Sequence, residues 1–138
     1  MDAKVTWKSG MTYEGTPSSG FSVVMGTSVE NGGANDGIRP MEMILVGMGS
    51  CTAMDVVPIL LKKHQEVHGL EIRLHGDRAT EHPHVFTDIT LEYIVTGHNV
   101  DPVAVARAIE LSETKYCSVS AMLQKSVKVT TKYTVIEG

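Results

Sequence analysis

Two cysteines, Cys51 and Cys117, are the residues of this chain best suited to covalent chemistry. The thiolate form is the nucleophile, the redox group and the metal ligand. Two cysteines alone do not make a zinc site, which needs four ligands at metal spacing. Cys51 lies in GMGSCTAMD, with Gly47, Gly49, Ser50 and Ala53 around it. Small neighbours leave space beside the sulfur for another group to reach it. Cys117 lies in KYCSVSAML, just before or at a helix start. Unpaired N–H groups and the helix dipole there favour thiolate over thiol. Two readings stay open: a dithiol pair, or two inert thiols buried in a core. The sequence does not show that the sulfurs meet, and bridging needs Cα atoms about 4.4–6.8 Å apart.

Glu42 is the other candidate. It is the one carboxylate in the first two turns of a helix otherwise free of charge until Asp55. It either complements the helix dipole or orients a cation or a substrate hydroxyl beside Cys51. Nine residues of helix, about 13.5 Å of rise, put Glu42 and Cys51 on roughly opposite faces. A site that uses both needs a second segment or a second subunit to complete it. The remaining polar residues form no recognisable site. Six histidines are scattered, and although His82 and His84 could point one way on a strand, no Cys or carboxylate is paired with them. No metal is expected. Ser120 and Ser126 lack the partners of a Ser-His-Asp triad. GTPSSG lacks the Lys-Ser/Thr ending of a phosphate loop, and no cofactor is expected.

The elements that must position these residues follow from periodicity. Residues 3–9, 11–15 and 20–26 alternate apolar and polar between glycines, which predicts an antiparallel meander of three short strands. Residues 27–37, TSVENGGANDG, are polar and glycine-rich and form a mobile loop. From Met41 the chain turns rich in Met, Leu and Ala, with Pro40 in place to open a helix. Apolar residues fall on nearly every face, so this helix is expected to be buried, with a kink near Met54 to Pro58. Gly47 and Gly49 would allow close approach of another backbone. Residues 67–76 and 85–96 alternate as two longer strands joined by a polar connection. Asp101-Pro102 reads as an N-cap and first helical residue, followed by a helix over 103–116. A short helix near 118–125 and a strand over 128–137 close the chain. The order is βββ-α-ββ-αα-β, a single α+β domain over residues 1–138 with largely antiparallel strands.

Composition narrows the function. Apolar residues at 42% and charged residues at 20% are those of a globular protein. A net charge of -4 argues against a nucleic-acid partner, whose phosphates need a basic surface. No run of 18 apolar residues and no apolar leader are read, so neither a membrane nor export is expected, and the default compartment is the cytoplasm. Cytosolic cysteine pairs are usually catalytic or redox-sensing rather than structural. The apolar setting of Met43, Leu45, Met48 and Met54 suits an alkyl or aryl ligand better than a small polar one.

Two blocks carry a resemblance. PMEMILVGMGSC resembles the first-cysteine helix of the OsmC/Ohr family (osmotically inducible protein C and organic hydroperoxide resistance), and SETKYCSVSAML its second-cysteine segment. PMEM followed by VARAIELSETKYCSV is most similar to the YhfA-type branch. The resemblance covers nearly the whole chain. It implies an OsmC-like fold, an intertwined homodimer with two long helices buried in its middle, and sites at the subunit interface. It implies a thiol-dependent peroxidase that reduces organic hydroperoxides. Cys51 would be the peroxidatic nucleophile and Cys117 the resolving thiol, with re-reduction by a dithiol of lipoyl or thioredoxin type. The chain departs from the peroxidase pattern in having no Arg among residues 1–38, Arg39 being the first. It also has Met41 where a Glu is common, with Glu42 one place on. A cation for the thiolate would then come from Lys4 or Lys8, or its place would be taken by helix-end dipoles. The alternative function is a stress-associated protein with a ligand-binding pocket at the dimer interface and little turnover.

Overall fold

Alternation at the N-terminus builds a three-stranded antiparallel meander. The computed structural model describes residues 1–138. Strands β1 (Ala3–Ser9), β2 (Thr12–Pro17) and β3 (Val23–Met25) pair in the order β1-β2-β3. β3 is shorter than its apolar run predicts. The polar segment that follows holds a single 3-10 turn, Val29–Asn31. Helix α1 (Pro40–Lys62) then opens at the proline and continues through Pro58 to Lys62. It ends where His64 takes a left-handed φ of 58°, with Gln65 N–H donating to Leu60 O and His64 N–H to Leu61 O. Paired bonds of this kind satisfy the last carbonyls of a helix.

The second sheet is built from β4 (Glu66–Arg78), β5 (Phe86–His98) and β6 (Lys128–Glu137), with β5 in the middle. β4 and β5 pair antiparallel over nearly their whole length. β5 alternates as predicted, and Ile89, Leu91, Tyr93 and Val95 supply core side chains. β6 pairs parallel to β5, which corrects the expectation of antiparallel sheets. A parallel neighbour needs a crossover of a dozen residues or more. Helix α2 (Pro102–Leu111), a π-helical turn (Ser112–Tyr116) and helix α3 (Ser118–Leu123) supply it. Asp101 caps α2 as predicted, its Oδ1 accepting from Val103 N–H at 2.9 Å. The expected run of helix to residue 116 instead breaks at Leu111 into the π turn.

The chain divides into two compact units, Met1–Ile44 and Leu45–Gly138, and α1 begins in the first and runs into the second. Within the second unit α1 buries one stripe, Met48, Gly49, Thr52, Val56 and Leu60. Val46, Met54 and Leu61 on its other faces stay exposed in the single chain. By length and composition α1 also meets the requirements of a membrane span, contrary to the sequence expectation. Its i, i+4 stripe of buried side chains is that of a core helix. The close approach expected at both helix glycines is found at Gly49, where a Cβ would stand 2.7 Å from Leu74 Cδ1, and the neighbour there is a side chain rather than backbone. At Gly47 a Cβ would meet nothing within 4 Å.

Two strand glycines of the β4/β5 ladder predict opposite outcomes. A Cβ on Gly97 would lie 2.1 Å from the carbonyl oxygen of Glu66, which is backbone and cannot swing away. A Cβ on Gly69 would meet only Thr96 Cβ, at 3.8 Å. Gly97→Ala should lower stability by about 2 kcal/mol or more, and Gly69→Ala by less than about 1 kcal/mol. Urea unfolding of the two variants checks the contrast, and equal losses would remove the steric account.

Candidate functional site

The two cysteines, far apart in sequence, meet in the second unit. α1 carries Cys51, half-buried, and the chain between the π turn and α3 carries Cys117, which is 2% exposed. Both thiols are free, and Cys51 stands near enough to Cys117 to influence its ionisation. Cys117 sits at the N-cap of α3. Its sulfur accepts from Ser120 N–H at 3.4 Å. Its own N–H donates to Ser112 O at 2.8 Å, the wide bond that makes the turn a π turn. Single π turns inside helices recur at functional sites.

Buried hydroxyls surround the pair. Thr52, the residue after Cys51, lies 2.8 Å from Tyr93 Oη and 2.7 Å from Ser112 Oγ. Thr52, Tyr93, Ser112 and Ser120 are all fully buried. The run ends on two half-buried carboxylates. Ser112 Oγ lies 2.9 Å from Asp55 Oδ2, and Tyr93 Oη lies 3.2 Å from Glu113 Oε1. Glu113 also accepts from Ser120 Oγ at 3.1 Å and, on Oε2, from Gln124 Nε2 at 3.0 Å. Of these residues the sequence reading singled out Ser120 only to set it aside. Thr52 beside Cys51 and Ser120 three places after Cys117 were the available signals.

Burial pushes the Cys117 thiol above its ordinary range. Ser120, whose N–H donates to the sulfur, opposes the shift, and the nearby Cys51 adds to it. This corrects the expectation that a helix start would favour the Cys117 thiolate. α3 has six residues, so its dipole is small, and desolvation of a buried anion is the larger effect. Tyr93 is also held above its ordinary value, first by burial and then by the Glu113 carboxylate and Cys117, against the bond from Thr52.

Glu42 lies in the first unit. Its Oε1 accepts from Arg39 N–H at 2.9 Å, so the carboxylate closes the start of α1. The Arg39 guanidinium donates to Gly37 O at 2.8 Å and also to Asn35 Oδ1. The rings of His82 and His84 are in tilted contact, with centroids 4.1 Å apart and planes at 51°, and His84 bonds to Ala79 O. Beside Asp55 opens a cleft of about 530 Å³ lined by Met54, Pro58, Ile59 and Leu111, with Lys62 and Lys63 on its wall.

A family model described as "OsmC-like protein" matches residues 33–132. The chain belongs to the OsmC-like family. It is 43% identical over 136 residues to Protein YhfA of Escherichia coli K12, which covers 99% of this chain and 98% of that one. A hypothetical protein from Aquifex aeolicus, 33% identical, superposes with a TM-score of 0.88 over 99% of this chain and 96% of its own. The organic hydroperoxide resistance protein OhrB of Bacillus subtilis superposes with a TM-score of 0.67 at 17% identity, covering 97% and 98% of the two chains. At that identity the likeness carries the fold. The α+β architecture of this chain is thus the OsmC-like one.

The raised Cys117 value has a consequence for stability. Below about pH 8.5, the ordinary thiol value, folded and unfolded chains both keep the proton. Above it the unfolded thiol ionises while folded Cys117 does not, so the unfolded state gains. Stability of the reduced protein should therefore fall as pH rises from about 8.5 towards the raised folded value. Urea unfolding between pH 7 and 9.5 should show a shallower fall in Cys117→Ser. Identical slopes in the two proteins would refute burial as the cause.

Proposed function

We propose that this OsmC-like protein is a thiol-dependent peroxidase that reduces organic hydroperoxides through Cys51 and Cys117. The observation that carries the reading is that two free thiols, distant in sequence, stand close enough for Cys51 to act on the ionisation of Cys117. Cys117 is the thiol held protonated, and the half-buried Cys51 is the one a substrate can reach. The Cys51 thiolate attacks the distal oxygen of the hydroperoxide. The O–O bond breaks, an alcohol leaves with one proton, and Cys51 becomes a sulfenic acid. Cys117 then displaces water to close a disulfide, and a dithiol of lipoyl or thioredoxin type reduces it. The organic hydroperoxide resistance proteins that share the fold support the substrate class. The apolar cleft beside Asp55 favours a second reading, a binding site for an apolar ligand with little turnover.

A homodimer belongs to the same proposal. Val46, Met54 and Leu61 leave an apolar surface on α1 that a second copy would cover. Glu42 enters only through that dimer: nine helical residues from Cys51, it serves the thiol if another chain brings it there. Association would bury more than about 2,000 Å². Light scattering should give twice the chain mass of 14.9 kDa, and a species of the chain mass at micromolar concentration would refute the dimer.

Thiol titration tests the chemistry. One equivalent of cumene hydroperoxide should remove both thiols of each chain within seconds. Cys51→Ser should consume no peroxide. Cys117→Ser should stop at a sulfenic acid on Cys51 that a trapping reagent labels. Each variant should cost roughly 1–2 kcal/mol for the buried hydroxyl. Unchanged thiols in the parent protein would favour the binding reading, and label on the Cys51→Ser protein would reverse the two roles.

A further inference from the structure

We propose that Ser120 and Glu113 take the Cys117 proton as that thiol becomes a nucleophile, and that the Tyr93–Thr52–Ser112 run of hydroxyls shares the proton with Asp55. The proposal rests on the dithiol reading and explains how a thiol so buried can react. Ser120 stands between donor and acceptor: its N–H lies 3.4 Å from the Cys117 sulfur, and its hydroxyl donates to Glu113 Oε1 at 3.1 Å. Gln124 fixes the carboxylate from the other side, at 3.0 Å from Oε2. When Cys117 attacks the sulfenic acid, an S–S bond forms and the S–O bond breaks. The thiol proton passes through Ser120 to Glu113. The departing hydroxide takes up one proton and leaves as water, so no net proton is released.

A proton count shows what the hydroxyl run adds. From Glu113 Oε1 through Tyr93, Thr52 and Ser112 to Asp55 Oδ2 there are four contacts, of 3.2, 2.8, 2.7 and 2.9 Å. Three hydroxyls bring three protons. With both end carboxylates ionised, one contact has lone pairs facing each other. A fourth proton arriving at Glu113 completes every contact. A shift of one place in each bond then moves it to Asp55, at the wall of the cleft. The run thus offers the proton an unbroken set of bonds from Glu113 to Asp55. The titratable groups that reach this path are Cys51 and Asp55 on α1 and Tyr93 on β5. Across the groove beside Glu113 stand Glu110 on α2 and Lys132 on β6. α3 and the residue after it contribute only the neutral Ser120 and Gln124.

The test isolates the Cys117 step from any peroxide. Reaction of Cys51 with dithionitrobenzoate gives a mixed disulfide, and attack by Cys117 releases a second thionitrobenzoate. Glu113→Gln and Ser120→Ala should slow that release at least tenfold at pH 7, as loss of a positioned proton acceptor does. The deficit should close as pH rises through the Cys117 ionisation, where solvent removes the proton directly. Ser120→Thr keeps the hydroxyl and should restore the rate. In the parent protein the rate should curve with deuterium fraction, and Tyr93→Phe, which cuts the run, should reduce the curvature to that of the two protons passed from Cys117 through Ser120. If Glu113→Gln fails to fold by circular dichroism, the Ser120 pair decides. A parent protein that never releases the second thionitrobenzoate overturns the dithiol reading and this one with it. Prompt release in the parent and an unchanged rate in the variants, or a deficit constant with pH, overturns the acceptor role alone. Curvature unchanged by Tyr93→Phe, or absent from the parent, removes the shared run.

Discussion

The bond between Thr52 and Ser112 ties the helix that carries Cys51 to the turn that leads into Cys117. A buried hydroxyl costs free energy unless it is hydrogen-bonded, and an orphaned one costs about 1–3 kcal/mol. Thr52 is fully buried, so α1, β5 and the π turn must keep Tyr93 and Ser112 within 2.8 Å of it. Cys51 is the preceding residue of the same helix. Cys117 hangs from the other partner, its N–H on the Ser112 carbonyl. Ser112 thus faces both ways, with its hydroxyl on the helix of one thiol and its carbonyl on the backbone of the other. The π turn makes this possible, because a regular helical turn would send the carbonyl to the residue four places on, not five.

Much of this frame was legible in the sequence. Period-two alternation marked β1, β2, β4 and β5, and Asp101-Pro102 marked the start of α2. The direction of β6 was not legible, since a parallel and an antiparallel strand alternate alike; only the long crossover from residue 99 to 127 bears on it. The π turn was hidden because SETKY continues a helical pattern, and one widened bond leaves no mark in residue types. Tyr93 counted as one more large residue on the inward face of β5, and only the fold shows what its hydroxyl meets. The dual reading of Glu42 was inherent: a carboxylate at a helix start has the same sequence whether it caps the backbone or waits for a ligand. Here it accepts from Arg39 N–H.

There are two ways to obtain a thiolate: stabilise its charge, or give its proton somewhere to go. The first needs a cation or strong donors beside the sulfur. No arginine precedes Arg39, and the Arg39 guanidinium is held by Gly37 and Asn35. The donor on Cys117 is the Ser120 N–H, and burial outweighs it. The surroundings supply the second way, for the groups nearest the sulfur are hydroxyls that both accept and donate, and they end on carboxylates. A thiol kept protonated beside a partner sulfur does not attack until the proton can move. In the proposed cycle that moment comes when Cys51 has been oxidised. Its thiolate charge, one of the influences that hold the Cys117 proton in place, is then gone. Oxidation of the first thiol would thereby release the second, by the same electrostatic coupling that restrained it in the reduced state.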